Sequence, residues 1–113
     1  MKSKILALSK NDEFKNLLKK SKLSNKYVTI FFGFLDNKDD KKLNISFVTK
    51  KKIGNAVKRN KIKRRLRNIF NDAVKKISIK FEYSYLVIAK STMLNSDFKD
   101  IKETLFQEFK KIK

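Results

Sequence analysis

The side chains best suited to chemistry in this chain are its arginines, and they are gathered in one place. Arg59, Arg64, Arg65 and Arg67 are all the arginines there are, and they fall within nine residues, whereas lysine runs from end to end. Lysine supplies a mobile point charge. Arginine supplies a rigid planar fork that grips phosphate in bidentate fashion and stacks on bases. The window from Lys50 to Arg67 holds ten cationic side chains and no acidic one. Such a set recognises a polyanion; it does not by itself make or break bonds. The rest of the inventory agrees. The chain has no cysteine and no histidine, which removes thiolate chemistry, disulfides, the commonest general base and the commonest metal ligand together. Asp36, Asp39 and Asp40 form the only local acidic cluster. They sit in a lysine-flanked stretch where Asp and Asn are ordinary turn formers. Neither a metal site nor a catalytic residue is expected in the chain, and the adjacent Lys90 and Ser91 have no supporting arrangement as a nucleophilic pair.

The elements that must position these cations come from a chain of 113 residues, enough for one domain spanning 1–113. Hydrophobic content of 41% with ten Phe supports a modest core, although 36% of residues are charged. The net charge of +19 repels itself and weakens the compact state. A polyanionic partner is the simplest reason to keep it, and nucleic acid is the first candidate. The apolar runs around Ile30–Leu35 and Tyr85–Ala89 are too short to span a bilayer. The amino-terminal stretch lacks the apolar core of a signal peptide. A soluble, cytoplasmic protein without membrane contact is expected.

Hydrophobic periodicity gives the order of elements. Asn11, Asp12 and Glu13 favour a helix start, and Phe14, Leu17, Leu18 and Ser21 follow at helical spacing to a stop near Lys20. Tyr27 to Leu35 and Leu43 to Thr49 are β-rich and read as a hairpin about a polar turn at 36–42. Ile62, Leu66, Ile69, Phe70, Ala73 and Ile77 form one stripe of a 3.6-residue helix, which Asn55 is placed to cap. The continuous run Leu86-Val-Ile-Ala89 suits a central strand covered on both faces. Phe98, Ile101, Leu105, Phe109 and Ile112 mark a final helix begun by Asn95, Ser96 and Asp97. Its apolar face is needed to cover the sheet, so membrane-surface binding is disfavoured. The fold class is α+β: a single domain, one mixed sheet of three to four strands and three helices, in the order α-β-β(-β)-α-β-α. The optional strand has room near residues 22–26.

With Ile62 at the centre of the buried stripe and about 100° per residue, Asn60, Lys63, Arg64 and Arg67 fall on one flank and Arg59 lies one turn above Lys63. Lys61 and Arg65 fall on the other flank. Arg59/Lys63, Lys63/Arg67 and Lys61/Arg65 are like-charge i, i+4 pairs, each costing roughly 0.2–0.5 kcal/mol. The cations also crowd the positive end of the helix dipole, where a sequence shaped for stability alone would place acids. A surface that contacts a polyanion explains both departures.

At these residues the chain resembles the protein component of bacterial ribonuclease P. The stretch Lys51-Lys-Ile-Gly-Asn-Ala-Val-Lys-Arg-Asn-Lys-Ile-Lys-Arg-Arg-Leu-Arg67 is similar to the family signature, an Arg-Asn-basic-x-Lys-Arg-x-x-Arg pattern carried here by Arg59, Asn60, Lys61, Lys63, Arg64 and Arg67. Asn11-Asp-Glu-Phe14 resembles the start of the family's first helix, and Ser84-Tyr-Leu-Val-Ile-Ala-Lys-Ser91 its late strand. Arg65 occupies a position the family leaves variable, and Leu18 stands where many members carry a second aromatic.

The resemblance implies an accessory subunit that supports a catalytic RNA in removing the 5′ leader of precursor tRNA. The RNA does the chemistry, and Mg²⁺ belongs to the RNA-containing holoenzyme, with no cofactor held by the chain alone. It implies a central basic helix on a left-handed crossover. Its partners would be the catalytic RNA subunit and precursor tRNA, with no obligate protein partner. Lys52, Arg59, Asn60, Lys61, Lys63, Arg64 and Arg67 are the RNA-binding candidates. A cleft between the first helix and the sheet would hold the single-stranded leader, with Phe14 and a first-strand aromatic in it. Tyr27, Phe31 and Phe32 are all open for the latter role, and Phe31 stands as the candidate. The alternative from another class is a structural, ribosomal-type RNA-binding protein, which needs the same basic face and compact core.

Overall fold

The computed structural model describes residues 5–6, 15–34, 43–77, 79 and 83–112. The strands are β1 (Ile5–Leu6), β2 (Ser21–Ser24), β3 (Val28–Gly33), β4 (Leu43–Val48) and β5 (Ser84–Ala89). The long helices are α1 (Ala56–Lys76) and α2 (Phe98–Lys110), each preceded by a short 3₁₀ turn, Lys51–Ile53 and Ser91–Leu94. Residues 15–17 form a helical turn where the apolar spacing predicts the first helix. The expected start of that helix at Asn11 to Phe14 lies outside the described residues, as do the 36–42 turn and its three aspartates.

The sheet order is β1-β4-β5-β3-β2. β5 is therefore the centre, as its unbroken apolar run requires. It pairs antiparallel with β3 and parallel with β4. This corrects the hairpin expected between β3 and β4: each flanks β5 and neither touches the other. The parallel pair β4 and β5 is bridged by α1. The sheet is one strand wider than expected, because the two-residue β1 adds to the outer edge of β4. A tight hairpin is formed instead by β2 and β3, with β2 in the place left for an optional strand. Asn25 shapes its turn by accepting hydrogen bonds on Oδ1 from the Tyr27 and Val28 amides at 2.8 and 2.9 Å.

Side chains alternate across the sheet, so register decides what each face presents. Val28, Ile30, Ile45, Tyr85, Val87 and Ala89 are buried on one face beneath α1 and α2. The α1 stripe Ile62, Leu66, Ile69, Phe70 and Ala73 is buried as the periodicity predicts, and Ile101, Leu105 and Phe109 of α2 join it. Rings interlock at this level, Phe70 with Phe109 at 4.6 Å between centroids and Tyr85 with Phe109 at 5.2 Å. Asn55 caps α1 by accepting from the Lys58 amide at 3.0 Å. The opposite face carries Phe31, Val48, Leu86 and Ile88, and the buried side chain set on it is Leu17.

Candidate nucleic-acid interface

The buried stripe fixes the roll of α1, and the roll fixes which cations face outward. Asn60, Lys61, Arg64 and Arg67 are exposed, while Arg59 and Lys63 border the stripe and are half-buried. Arg59 Nε is buried without a hydrogen-bond partner among the described residues. The first turn of α1 contains no acid. In α2 the Asp97 side chain accepts from the Lys99 amide, and Asp100 lies in the first turn. Both helices cover the core, yet α2 is compensated at its positive end and α1, which carries the arginines, has no acid in its first turn.

Arg65 departs from the other arginines. It lies on the far flank of α1, half-buried in a recess with Lys58, Lys61, Met93, Leu94 and Asn95. Lys61 shares that recess, so the structure separates it from Lys63 and Arg67.

Lys52 is not on α1. It is exposed on the 3₁₀ turn after β4, and Gly54 with φ 158° redirects the chain from this turn into α1. Lys50, Lys52, Lys90 and Ser91 surround a recess of roughly 470 Å³ floored by Thr29, Ile53, Ile88 and Ala89. Thr29 and Ile88 are register partners, two residues along their strands from the Phe31–Leu86 pair. With Ile53 and Ala89 of the helix-side core completing it, the recess lies at the strand ends and reaches the face that α1 and α2 leave free. Lys90 Nζ donates to Ser24 Oγ at 2.9 Å and to the Asn25 carbonyl at 2.6 Å, which fixes its position and directs it away from Ser91.

Register also separates the three first-strand aromatics. Phe31 pairs across strands with Leu86 and Lys22, on the free face. Phe32 is one residue on and packs against Tyr83 and Tyr85 on the helix side, and Tyr27 is buried in the main core. Only Phe31 of the three faces the groove beside Leu17. Phe14 lies outside the described residues; Leu18, one helical turn on from it, is half exposed. Sequence reasoning does not single out Lys22, Lys90 and Ser91 as site residues, because only cross-strand pairing places them beside Phe31 and Lys52.

No group of three or more His, Cys, Asp or Glu capable of holding a metal gathers among the described residues. No described helix is long and apolar enough to cross a membrane. The electrostatic perturbation at Asp72 is structural. This residue of α1 is hydrogen-bonded to Lys102 of α2, and that bond and charge hold its carboxyl below the ordinary 3.8.

A basic helix over a mixed sheet, flanked by a lysine-rimmed groove, has counterparts among known proteins. The sequence pattern of the family described as Ribonuclease P matches residues 3–113. The chain belongs to the ribonuclease P protein family. The ribonuclease P protein component of Bacillus pumilus is 37% identical over 105 residues, covering 92% of this chain and 85% of that protein. That of Carboxydothermus hydrogenoformans is 34% identical over 110 residues, covering 94% and 90%. Among solved structures, the Thermotoga maritima ribonuclease P protein superposes with a TM-score of 0.79 at 26% identity, covering 96% of this chain and 98% of that one. A Staphylococcus aureus ribonuclease P protein gives 0.76 at 28% identity, covering 94% and 93%. As a ribonuclease P protein component, the chain is an RNA-binding subunit of a tRNA-processing endoribonuclease and partners the ribonuclease P RNA. The ribosomal-type alternative is thereby set aside.

Proposed function

We propose that the exposed face of α1 docks on the catalytic RNA while the groove on the free sheet face holds the single-stranded 5′ leader of precursor tRNA. The observation that carries this reading is the position of Phe31. It is a half-buried aromatic on the face without long helices, opposite Lys22 and two residues from a recess rimmed by Lys50, Lys52 and Lys90. An aromatic platform flanked by cations is what a sequence-tolerant single-strand site requires. Arg59, Asn60, Lys63, Arg64 and Arg67 contact the RNA subunit in this reading, and Lys52 and Phe14 join the leader groove. Lys61, on the far flank with Arg65, makes a separate phosphate contact. Hydrolysis belongs to the RNA with its Mg²⁺. The protein positions the substrate, acts in the cytoplasm, and needs no membrane and no further protein partner.

Two measurements test the reading. Purified chain with Mg²⁺ and without the RNA subunit is expected to leave precursor tRNA uncut. Specific 5′ cleavage surviving ribonuclease treatment of the preparation would contradict an accessory role. Arg59, Lys63, Arg64 and Arg67 changed together to Ala should lower affinity for the RNA subunit. The same change should flatten the salt dependence by about 0.7–0.9 in log–log slope for every phosphate that is no longer neutralised. An unchanged slope removes α1 from the interface.

A further inference from the structure

Phe34 is a large aromatic with 62% of its surface exposed, just beyond the end of β3. It is not adrift. Its ring meets Tyr83 edge-on at 4.7 Å, Tyr83 lies 5.7 Å from Phe32, and Phe32 lies 6.4 Å from the fully buried Tyr85. An aromatic ladder thus runs from the core to solvent, and its last ring is held from below while its outer surface is open. Beside it, Lys19, Lys20, Ser21, Phe32, Gly33 and Tyr83 complete a recess of roughly 410 Å³ with no acidic residue in its lining among the described residues. Gly33 makes this corner possible. A Cβ there would lie 2.8 Å from Lys20 Cβ and Cγ, so the missing side chain lets the lysine stem lie flat on the strand.

We infer that Phe34 and Tyr83, with Lys19 and Lys20, form a second, distal stacking subsite for a base of single-stranded RNA. This inference rests on the leader-groove reading and extends it. The groove runs along β3. Lys50, Lys52 and Lys90 stand at its Thr29 end, Lys22 stands opposite Phe31, and Lys20 lies over Gly33 at its far end. The cations form a track in which charge complementarity selects a polyanionic strand; at its end the recess bounded by Lys20 and Gly33 also includes Phe32 and Tyr83 of the helix side, so a strand leaving the groove turns over the end of β3 to meet Phe34. The Thr29 end adjoins the turn that leads into α1, so Phe34 is the end remote from the arginines. From Phe31 to Phe34 is three residues, about 10 Å along the strand, and Phe34 lies towards the helix side, so the path between them is longer than the rise of roughly three stacked nucleotides. A leader of about three nucleotides fills the groove without reaching Phe34, and one of about eight reaches it.

The test uses the holoenzyme reconstituted with its RNA subunit and precursor tRNAs carrying leaders of about three and about eight nucleotides, with affinity measured for each and a thermal melt for every variant. Phe34→Ala is expected to lower the long-to-short affinity ratio about five- to tenfold, and Phe34→Tyr to retain it. The double change Lys19→Gln with Lys20→Gln, which leaves the aromatic ladder in place, should lower the same ratio and weaken its salt dependence. An unchanged ratio in Phe34→Ala overturns the distal subsite. So does an equal loss for both leaders, which would place Phe34 against the RNA subunit or in the fold alone. Phe31→Ala separates the two readings. Loss of affinity for both leaders with an unchanged Phe34→Ala ratio refutes only the distal subsite, whereas an inert Phe31→Ala refutes the leader groove on which it rests.

Discussion

On the helix side of the sheet, Tyr85, Phe70 and Phe109 are buried and their rings interlock. On the other side, Phe31 and Ile88 are only partly covered, and Leu17 is the buried residue that packs there with Leu86. Both faces are built from the same three long strands, and alternate residues of each strand serve opposite sides. The difference is what covers them. Two amphipathic helices exclude water from one face and convert its aromatics into stability. Among the described residues a single helical turn lies over the other face, and Phe31 there is only partly buried. Aromatic content alone therefore says nothing of role; parity along the strand does.

The contrast can be tested at one aromatic from each side. Phe70→Ala empties the sealed side and should cost about 3–5 kcal/mol in unfolding free energy, with leader dependence unchanged in the protein that remains folded. Phe31→Ala should show the reverse: binding of leader-bearing precursor tRNA weakened by about 1–3 kcal/mol, binding of mature tRNA unchanged, and a shift in stability of about 1 kcal/mol or less. Equal melting losses in the two variants would erase the distinction between the faces. A subtler change asks whether the α1 surface is read by shape or by charge alone. Arg64→Lys keeps the cation and removes the fork, and should weaken assembly with the RNA subunit by about 1 kcal/mol. Wild-type affinity would mean that charge suffices.

The smallest effect concerns the pair that ties the two covering helices together. Lys102 depresses the Asp72 carboxyl pKa, so this contribution to stability is present above the ordinary 3.8 and is lost as pH falls below it through the lowered value. Acid titration of stability should be slightly shallower in Asp72→Asn than in the parent chain. An identical titration would show that the pair does not hold α1 to α2.

Periodicity and cation clustering make α1, its stripe and its exposed basic face legible in the amino-acid sequence, because both are local properties of one helix. The central place of β5 is legible for a similar reason, since Leu86-Val-Ile-Ala89 offers no polar side to solvent. Strand neighbours are not. A polar stretch at 36–42 between two β-rich segments has the form of a hairpin turn, and the partner that displaces the hairpin lies beyond a 21-residue helix. β1, two residues in parallel pairing, carries too little pattern to read. The choice among Tyr27, Phe31 and Phe32 needs register, because adjacent aromatics in an almost wholly apolar strand show no alternation. Lys52 and Lys90, distant in sequence, meet only because β4 and β5 end side by side.

The central position of β5 also sets the order in which the molecule can be completed. β3 and β4 are made early, yet each finds its main partner only when Ala89 has been added. During synthesis at about 5–20 residues per second, the growing chain carries two unpaired strand edges for seconds while α1 emerges between them. Such edges invite pairing with other chains, and a dense run of lysine is one of the means by which proteins discourage it. A chain truncated after Lys76 should accordingly show no hydrogen-exchange protection in β4, whereas protection there would mean that the sheet assembles without its middle strand. The charge that brings the finished protein to RNA would then also keep the unfinished one apart from its copies.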